Sequence, residues 1–196
     1  MTTHQPLPRL ARPDTPARRL CKRGELIHLA GEHGPLRRIV NGAVRLDLPT
    51  ETGGGFASLA LTGDLLGIES LAFGGYGFTA RALTPCTLEI HEPAEVPLAQ
   101  MALATQRAAQ TVALRDGSAA WRIQRLAALL TAEGAQPLSN RRHLLPRLAD
   151  IAEITGLTVE TVSRTTATLG SACGLPHKTY RQRATPRPGL AQALAA

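Results

Sequence analysis

The chain has 196 residues, of which 43% are hydrophobic and 19% are charged, and its formal net charge is +7. A chain of this length and composition can bury one fair core or two small ones, and we expect two compact domains. No run of about 18 apolar residues occurs, and the proline- and arginine-rich N-terminus has no apolar signal-peptide core, so we expect a cytoplasmic protein that does not enter the membrane.

The positive charge is unevenly distributed along the chain. Residues 1–100 carry ten Lys or Arg and ten Asp or Glu, whereas residues 101–196 carry twelve and five. A basic half joined to a neutral half is the charge distribution expected of a phosphate-binding domain attached to another domain, although cationic surfaces also occur without nucleic acid. The cysteines Cys21, Cys86 and Cys173 lie far apart in the sequence, so we expect neither a disulfide framework within the chain nor an all-cysteine metal site.

The first half of the chain is predicted to be a flexible arm followed by a β-roll. Residues 1–19 contain four prolines and four arginines, which favour a solvated arm. Residues 20–95 consist of short β-type runs separated by glycine-containing turns, a pattern typical of a jelly roll or barrel. The triple glycine at residues 53–55 lacks the Gly-Lys-Ser/Thr of a phosphate loop and is interpreted as a hairpin tip. The predicted strands are Leu26–Leu29, Leu36–Val40, Ala43–Asp47, Ala57–Leu61, Thr79–Leu83 and Thr87–Ile90.

Residues 96–116 are predicted to form one long helix with an apolar seam. The seam residues recur at alternating spacings of three and four, which is the heptad pattern of two helices packed side by side. We therefore predict that this helix forms a homodimer, the alternative being that the seam packs on the chain's own β-domain. The seam residues are Leu98, Met101, Thr105, Ala108 and Val112.

Residues 117–196 are predicted to form a helical domain that binds DNA. A helix over Ala119–Leu130 follows the break at Gly117, and its apolar residues, including Trp121, are expected in the core of this domain. Residues 148–169 have the pattern of a helix-turn-helix, and residues 174–183 could hold a weak two-stranded wing.

The helix-turn-helix prediction depends on the steric needs of two short helices that cross tightly. Ala152 is small at the expected contact, Gly156 suits a turn with positive φ, and Val162 points back into the crossing with Ile151 and Leu157. Thr158 is expected to cap the second helix. An ordinary helical hairpin with surface charges is the alternative. Because Val162 faces inward, the helical period turns five residues toward solvent: Val159, Glu160, Ser163, Arg164 and Ala167.

The order of these elements resembles that of the CRP/FNR superfamily of bacterial transcription regulators, over about Leu20 to Arg183. The resemblance implies an α+β fold in which an N-terminal jelly-roll domain of the cyclic-nucleotide-binding type senses a signal and a long helix forms a homodimer. It further implies a C-terminal winged helix-turn-helix domain that reads palindromic double-stranded DNA, and RNA polymerase as a partner. The last motif is most similar to the FNR and FixK branches. The motifs that carry the resemblance are Gly24-Glu25, Asn41-Gly42-Ala43-Val44-Arg45-Leu46, Leu61-Thr62-Gly63-Asp64-Leu65-Leu66-Gly67 and Gly156-Leu157-Thr158-Val159-Glu160-Thr161-Val162-Ser163-Arg164.

The sequence departs from the cyclic-nucleotide-binding members of that superfamily. Those members hold the cyclic phosphate with a Gly-Glu pair and an Arg-Ser pair, but residues 67–80 contain no cation. Arg81 follows on a predicted strand whose alternation sends it to solvent, which leaves Glu69 without a phosphate-binding partner. Cys21 alone does not supply the N-terminal cysteine set of an iron–sulfur cluster. We therefore expect no cyclic AMP, iron–sulfur cluster or other cofactor, and the sequence does not identify an effector.

Two alternatives place a metal or a haem in the β-roll. A cupin-like metal enzyme would need histidines and a carboxylate at close strand spacing, which His28, His33 and His91 do not show. A haem-binding gas or redox sensor would use the same histidines or Cys86 as ligands, but these residues lie at no ligand spacing. We therefore prefer a transcription regulator that is not an enzyme. Cys173, near the second helix in sequence, is expected to be structural rather than redox-active.

The exposed residues of the second helix suggest how bases are read. Arg164 can donate two hydrogen bonds to guanine, Glu160 can accept one from the amino group of cytosine, and Ser163 can lie against a thymine methyl. Val159 stands where the cyclic-AMP receptor branch has a second base-reading arginine, so the resemblance implies an FNR-like half-site similar to TTGA. Activation and repression are not distinguished. The residues expected to contact phosphates are Thr158, Thr161, Lys178 and Arg181.

Overall fold

The computed structural model describes residues 18–51, 53–93, 96, 98–131 and 146–169, in which an antiparallel β-domain is followed by helices. None of the helices in these ranges has the length and apolar character needed to cross a membrane. The strands are β1 Arg18–Cys21, β2 Leu26–His28, β3 Leu36–Asn41, β4 Ala43–Thr50, β5 Gly53–Leu61, β6 Leu65–Leu66, β7 Thr79–Ala82 and β8 Cys86–His91. The helices are α1 Ser70–Phe73, α2 Leu98–Val112, α3 Ala119–Thr131, α4 Leu148–Thr155 and α5 Val159–Leu169, and a 3-10 turn, Ala113–Arg115, follows α2.

The strands form two four-stranded sheets that pack on each other. The first sheet has the order β1-β8-β3-β6 and the second has the order β2-β7-β4-β5, with antiparallel pairing throughout. Side chains alternate along a strand, so Val44 and Ala82 of the second sheet point toward Ile39 and Leu88 of the first. These residues belong to the core inside the β-roll, where the two sheets meet.

The opposite face of the second sheet packs against the helices. In the described residues, the helical segments therefore share their core with the β-roll, because the sheet supplies one wall of it. Since this wall is apolar, it anchors the 3-10 turn, α3, α4 and α5 to the β-roll. The buried residues of this shared core include Ala43, Leu59, Leu61 and Leu83 from the β-domain, and Leu114, Ile123, Leu126, Ile151, Ile154 and Val162 from the helical segments.

Helix α2 is joined to the β-roll by a buried ion pair. Asp64, in the turn between β5 and β6, accepts hydrogen bonds from Nε and Nη2 of Arg107 at 2.9 and 3.3 Å. The same carboxylate accepts the backbone N–H of Leu61 at 2.8 Å. Thr111, one helical turn after Arg107, is also buried, so this face of α2 is fixed against the β-roll.

Several sequence predictions need correction. Arg18 and Arg19 were expected in the flexible arm, but they lie on β1 and pair with β8. The predictions omitted β1 and β6 because neither short run shows apolar alternation. The triple glycine lies on β5 opposite residues 48–50, beside the hairpin tip rather than at it. Trp121 was expected in the core but is 56% exposed, because its side chain lies on the opposite face of α3 from Ile123.

The sequence also gave no indication that two cysteines are neighbours. Cys21 and Cys86 lie directly opposite each other on β1 and β8, and both are buried free thiols. Burial raises the pKa of both thiols, and the pKa of Cys86, with Cys21 beside it, reaches about 12. Both are therefore protonated and poorly nucleophilic near neutral pH. Cys173 lies outside the described residues.

Candidate nucleic-acid interface

Helices α4 and α5 are joined by a tight turn that the sequence predicted. Gly156 ends α4 in the left-handed conformation, with φ of +66°, and the N–H of Leu157 donates to the carbonyl of Ala152 at 2.9 Å. Thr158 then caps α5, since its hydroxyl accepts the N–H of Thr161 at 3.2 Å. The expected turn and cap are both confirmed.

One face of α5 is buried against α4 and the shared core. Val162 and Ile151 are fully buried, Ala152 is buried beside them, and Leu157 is half-buried. Thr166, one turn after Val162, is also buried, and its hydroxyl donates to the carbonyl of Val162 at 2.8 Å. The inward register predicted for Val162 is therefore confirmed, and it determines which α5 side chains face out.

The opposite face of α5 presents the residues that the sequence assigned to base contacts. Glu160 and Arg164 are exposed and stand four residues apart, so they are neighbours on the helix surface. Ser163 is half-buried between this face and the core. The structure thus brings these three side chains to one helical surface near the start of α5.

The residues assigned to phosphate contacts are only partly described. Thr158 is exposed and Thr161 is half-buried at the start of α5, and their hydroxyl oxygens lie 3.0 Å apart. These hydroxyls are therefore partly engaged in the cap itself. Lys178 and Arg181, together with the predicted wing, lie outside the described residues.

The seam of α2, defined as Leu98, Met101, Thr105, Ala108 and Val112, faces away from the β-roll. Every seam residue is exposed, with Leu98, Met101 and Val112 at 80%, 56% and 73%. The face of α2 that packs on the β-roll is the one carrying Arg107 and Thr111. The alternative prediction, that the seam packs on its own β-domain, is therefore wrong.

The stretch that corresponds to the phosphate-binding segment of cyclic-nucleotide binders contains a buried aromatic side chain. Tyr76 is 3% exposed and stacks on His28, with ring centroids 3.7 Å apart and planes at 15°. Its hydroxyl accepts a hydrogen bond from Nη1 of Arg37 at 3.1 Å. A Cβ at Gly67 would lie 2.5 Å from the Tyr76 ring, so the glycine makes room for this side chain. The side chain of Tyr76 therefore occupies space within residues 67–80.

His28 is buried, and neither of its ring nitrogens has a hydrogen-bond partner in the described part of the chain. Burial, reinforced by the positive charge of Arg37, lowers the pKa of His28 to about 4. The ring is therefore neutral near pH 7, and its visible role is to stack on Tyr76.

Two other residues considered for nucleotide binding have contacts within the fold. The carboxylate of Glu69 accepts the N–H of Gly77 at 3.1 Å. Arg81 is exposed, as expected, and its Nη1 donates to the carbonyl of Gly24 at 3.2 Å. Both contacts hold loops of the β-roll.

Among the described residues, the histidines considered for a metal or haem do not form a ligand set with other side chains. His28 and His91 are on different sheets, His33 is exposed, and Cys86 lies opposite Cys21. Across the ranges that the structure describes, no group of three or more His, Cys, Asp or Glu side chains is arranged to hold a metal ion.

Sequence reasoning missed a charged cluster that joins the β-roll to α4. Nε of Arg45 donates to Asp47 at 2.7 Å and Nη1 donates to Asp150 at 3.3 Å, while Nη2 donates to Glu153. Burial opposes the charge of Arg45, but hydrogen bonds to Glu153 and Asp47 outweigh burial and raise the pKa of Arg45. Strand alternation places Arg45 and Asp47 on one face, and a three-residue spacing does the same for Asp150 and Glu153. Nothing in the local patterns joins the two pairs.

Comparison with known proteins gives a result only at the level of structure. A scan against models of protein families finds no match, and a search of curated proteins finds no significant similarity. A CRP-family transcriptional regulator from Thermus thermophilus is 25% identical with a TM-score of 0.61, over 77% of this chain and 83% of that one. The structural neighbours of the present chain are CRP/FNR-family transcriptional regulators.

Two further solved structures are also similar to this chain. A CRP/FNR-family regulator from the same organism is 22% identical with a TM-score of 0.56, over 78% of this chain and 85% of that one. FixK2 from Bradyrhizobium japonicum is 24% identical with a TM-score of 0.53, over 79% and 84%. The β-domain and helices of this chain thus match the CRP/FNR fold that the sequence resemblance implied. Because the sequence identities to these three proteins are nearly equal, they do not single out the FixK-like branch.

Proposed function

We propose that this chain is a homodimeric, sequence-specific DNA-binding regulator of transcription of the CRP/FNR type. The observation that carries the proposal is the division of α5 into two faces. Val162 and Thr166 are buried against the rest of the fold, while Glu160 and Arg164 are exposed near the helix start. A helix held by one face, with hydrogen-bonding side chains on the other, suits insertion into the major groove.

The chemistry of the exposed face supports a half-site similar to TTGA. Arg164 can donate two hydrogen bonds to guanine, and Glu160 can accept one from a cytosine on the opposite strand. Ser163 is small enough to let a thymine methyl approach the helix. Val159, also exposed, offers an apolar surface where a second arginine would read another guanine.

The seam of α2 supports a homodimer. An apolar stripe on one side of a 15-residue helix is costly to leave in water, and the small residues Thr105 and Ala108 allow a second helix to approach closely. Two copies joined along α2 would present two α5 helices related by a two-fold axis. Such a dimer reads a palindrome, and RNA polymerase is its expected partner on DNA.

Substitution of Arg164 tests the base-reading role. Arg164→Ala should weaken binding to a TTGA palindrome by about 1–3 kcal/mol per half-site and relax the preference at one base pair, because a bidentate contact to guanine is lost. The measurement is fluorescence anisotropy at fixed salt with the palindrome and with each single base change. Arg38→Ala, on β3 in the sheet remote from α4, removes the same charge and serves as the control. Equal preference at every position in the wild type and in Arg164→Ala would refute the assignment.

Phosphate contacts are proposed for Thr158, Thr161, Lys178 and Arg181. Helix N-termini and basic side chains attract the DNA backbone without reading its sequence. Their contribution should therefore affect specific and unrelated duplexes alike.

We also propose that regulation does not depend on a cyclic nucleotide or another known cofactor. No cation lies in residues 67–80 to neutralise a cyclic phosphate, and Tyr76 fills space in that segment. Isothermal titration with cyclic AMP and cyclic GMP should give no heat of specific binding at micromolar protein. A micromolar dissociation constant for either nucleotide would overturn this part of the proposal.

A further inference from the structure

Arg45 connects the β-roll to the first helix of the α4–α5 pair by charge. It lies on β4 with 8% of its surface exposed, and its guanidinium donates to Asp47 on its own strand and to Asp150 and Glu153 on α4. Each of its three nitrogens therefore has a carboxylate partner, two of them on a different element. Charge-assisted hydrogen bonds of this kind fix both distance and orientation.

The other end of α4 is held by two more arginines. Arg115 donates to the carbonyl of Glu153 at 3.1 Å and to that of Ile154 at 3.4 Å. Arg122 donates to the carbonyl of Thr155 at 3.1 Å. Cations are favoured at these positions because the last carbonyls of a helix carry partial negative charge.

An aromatic ring connects the two groups of contacts. The guanidinium carbons of Arg45 and Arg115 each lie 5.7 Å from the centre of the Phe56 ring on β5. Both distances are within the range of cation–π attraction. Helix α4 is thus restrained through its side chains at Asp150 and Glu153 and through its carbonyls at the C-terminal end.

The Arg45 contact with α4 is ionic and borders a cleft that opens to solvent. A cleft of about 410 Å³ lies beside it, lined by Arg45, Asp47, Pro49, Gly54, Thr79, Arg81, Asp150 and Glu153. Since polar and charged side chains dominate this lining, loss of the ion pairs there would expose little additional apolar surface. At this point α4 is therefore held by charged contacts, in addition to the apolar contacts that Ile151 and Ile154 make in the shared core.

We propose that Arg45 is a positioning residue for DNA recognition: its ion pairs with Asp150 and Glu153 hold α4 on the β-sheet and thereby orient α5. This inference rests on the proposed function. Helices α4 and α5 are joined by the Gly156 turn, and Ile151 and Val162 belong to one buried cluster, so a rotation of α4 should carry Glu160 and Arg164 with it. In a dimer, the orientation of α5 relative to α2 determines which separation of half-sites fits.

The experiment compares Arg45→Met with Arg38→Met in the full chain. Without DNA, hydrogen exchange should become faster at the amides of α4 and α5 in Arg45→Met, while β3 and α2 keep wild-type exchange. With DNA, the wild type should prefer one half-site separation by about tenfold over palindromes lengthened or shortened by single base pairs. Arg45→Met should lose most of this preference while it keeps the wild-type ranking of bases within a half-site. Arg38→Met should behave as the wild type in both measurements.

A second variant tests the same contact from the side of α4. Asp150→Asn combined with Glu153→Gln removes the partner charges and leaves the β-roll sequence intact, so it serves even if Arg45→Met folds poorly. It should reproduce the loss of spacing preference, and adding Arg45→Met to it should cause no further loss. Wild-type exchange in α4 together with an unchanged spacing preference in the double variant would overturn the inference. A wild-type protein that binds no palindrome of any spacing would instead refute the proposed function, and the exchange result would still decide whether Arg45 holds α4.

Discussion

A buried histidine at position 28 makes the stability of the β-roll depend on pH. In the folded chain the pKa of His28 is about 4, whereas its ordinary value is 6.5. Between these values the unfolded chain binds a proton that the folded chain does not, so the free energy of unfolding falls as the pH drops from about 6.5 toward 4. The loss of stability caused by His28 is therefore absent well above pH 6.5 and complete below about pH 4.

His28→Phe should remove that part of the pH dependence. Phenylalanine can keep the stacking on Tyr76 and has no nitrogen to protonate, so the variant should be at least as stable as the wild type at pH 5. The measurement is urea unfolding between about pH 4 and 7, with His33→Phe, at an exposed histidine, as the control. If the difference in unfolding free energy between wild type and His28→Phe did not change with pH, the assigned protonation behaviour of His28 would be wrong.

At the scale of single residues, the sequence predicted what local sterics decide. Gly156, Thr158 and Val162 were predicted correctly because a turn, a cap and an inward β-branched residue each depend on neighbours only a few positions away. Arg45 was not found, because its partners Asp150 and Glu153 are 105 and 108 residues away in sequence. The contact of Cys21 with Cys86 was missed for the same reason.

At the scale of elements, the apolar seam of α2 could be recognised from the residue spacing. The contact that fixes α2 on the β-roll could not. The heptad spacing predicted an apolar stripe, and the structure places that stripe outward. The buried pair of Arg107 with Asp64 joins α2 to a distant turn, and it determines the face that is presented to solvent. Periodicity describes one helix, whereas this orientation depends on two elements.

Met101→Glu should prevent dimerisation along α2. Two copies of the helix would then place like charges across the seam, next to Leu98 and Thr105, in a region that excludes water. Sedimentation velocity at micromolar concentration should show a dimer for the wild type and a monomer for the variant. Gln106→Glu adds the same charge at an exposed position of α2 outside the seam and should remain dimeric. A monomeric wild type, or a dimeric Met101→Glu, would contradict the proposed interface.

At the scale of the whole molecule, two compact domains were expected, and in the described residues the sheet and the helices share a core. Leu59 and Leu61 of the sheet pack with Ile151 and Val162 of the α4–α5 pair, so the helices depend on the β-roll for one wall. Sequence patterns identified the apolar residues on each side but could not show that they pack together, because nothing local encodes that contact. This shared wall and the Arg45 contact give the β-roll a direct structural link to the helix proposed to read DNA.

Sequence-specific DNA binding by a dimer is tested most directly by selecting binding sites from a random pool of double-stranded DNA with the wild-type protein. We expect enrichment of a two-fold symmetric motif with half-sites similar to TTGA, because two α5 helices of a homodimer would present Glu160, Ser163 and Arg164 to successive major grooves. Enrichment of no motif, or of one without two-fold symmetry, would contradict it.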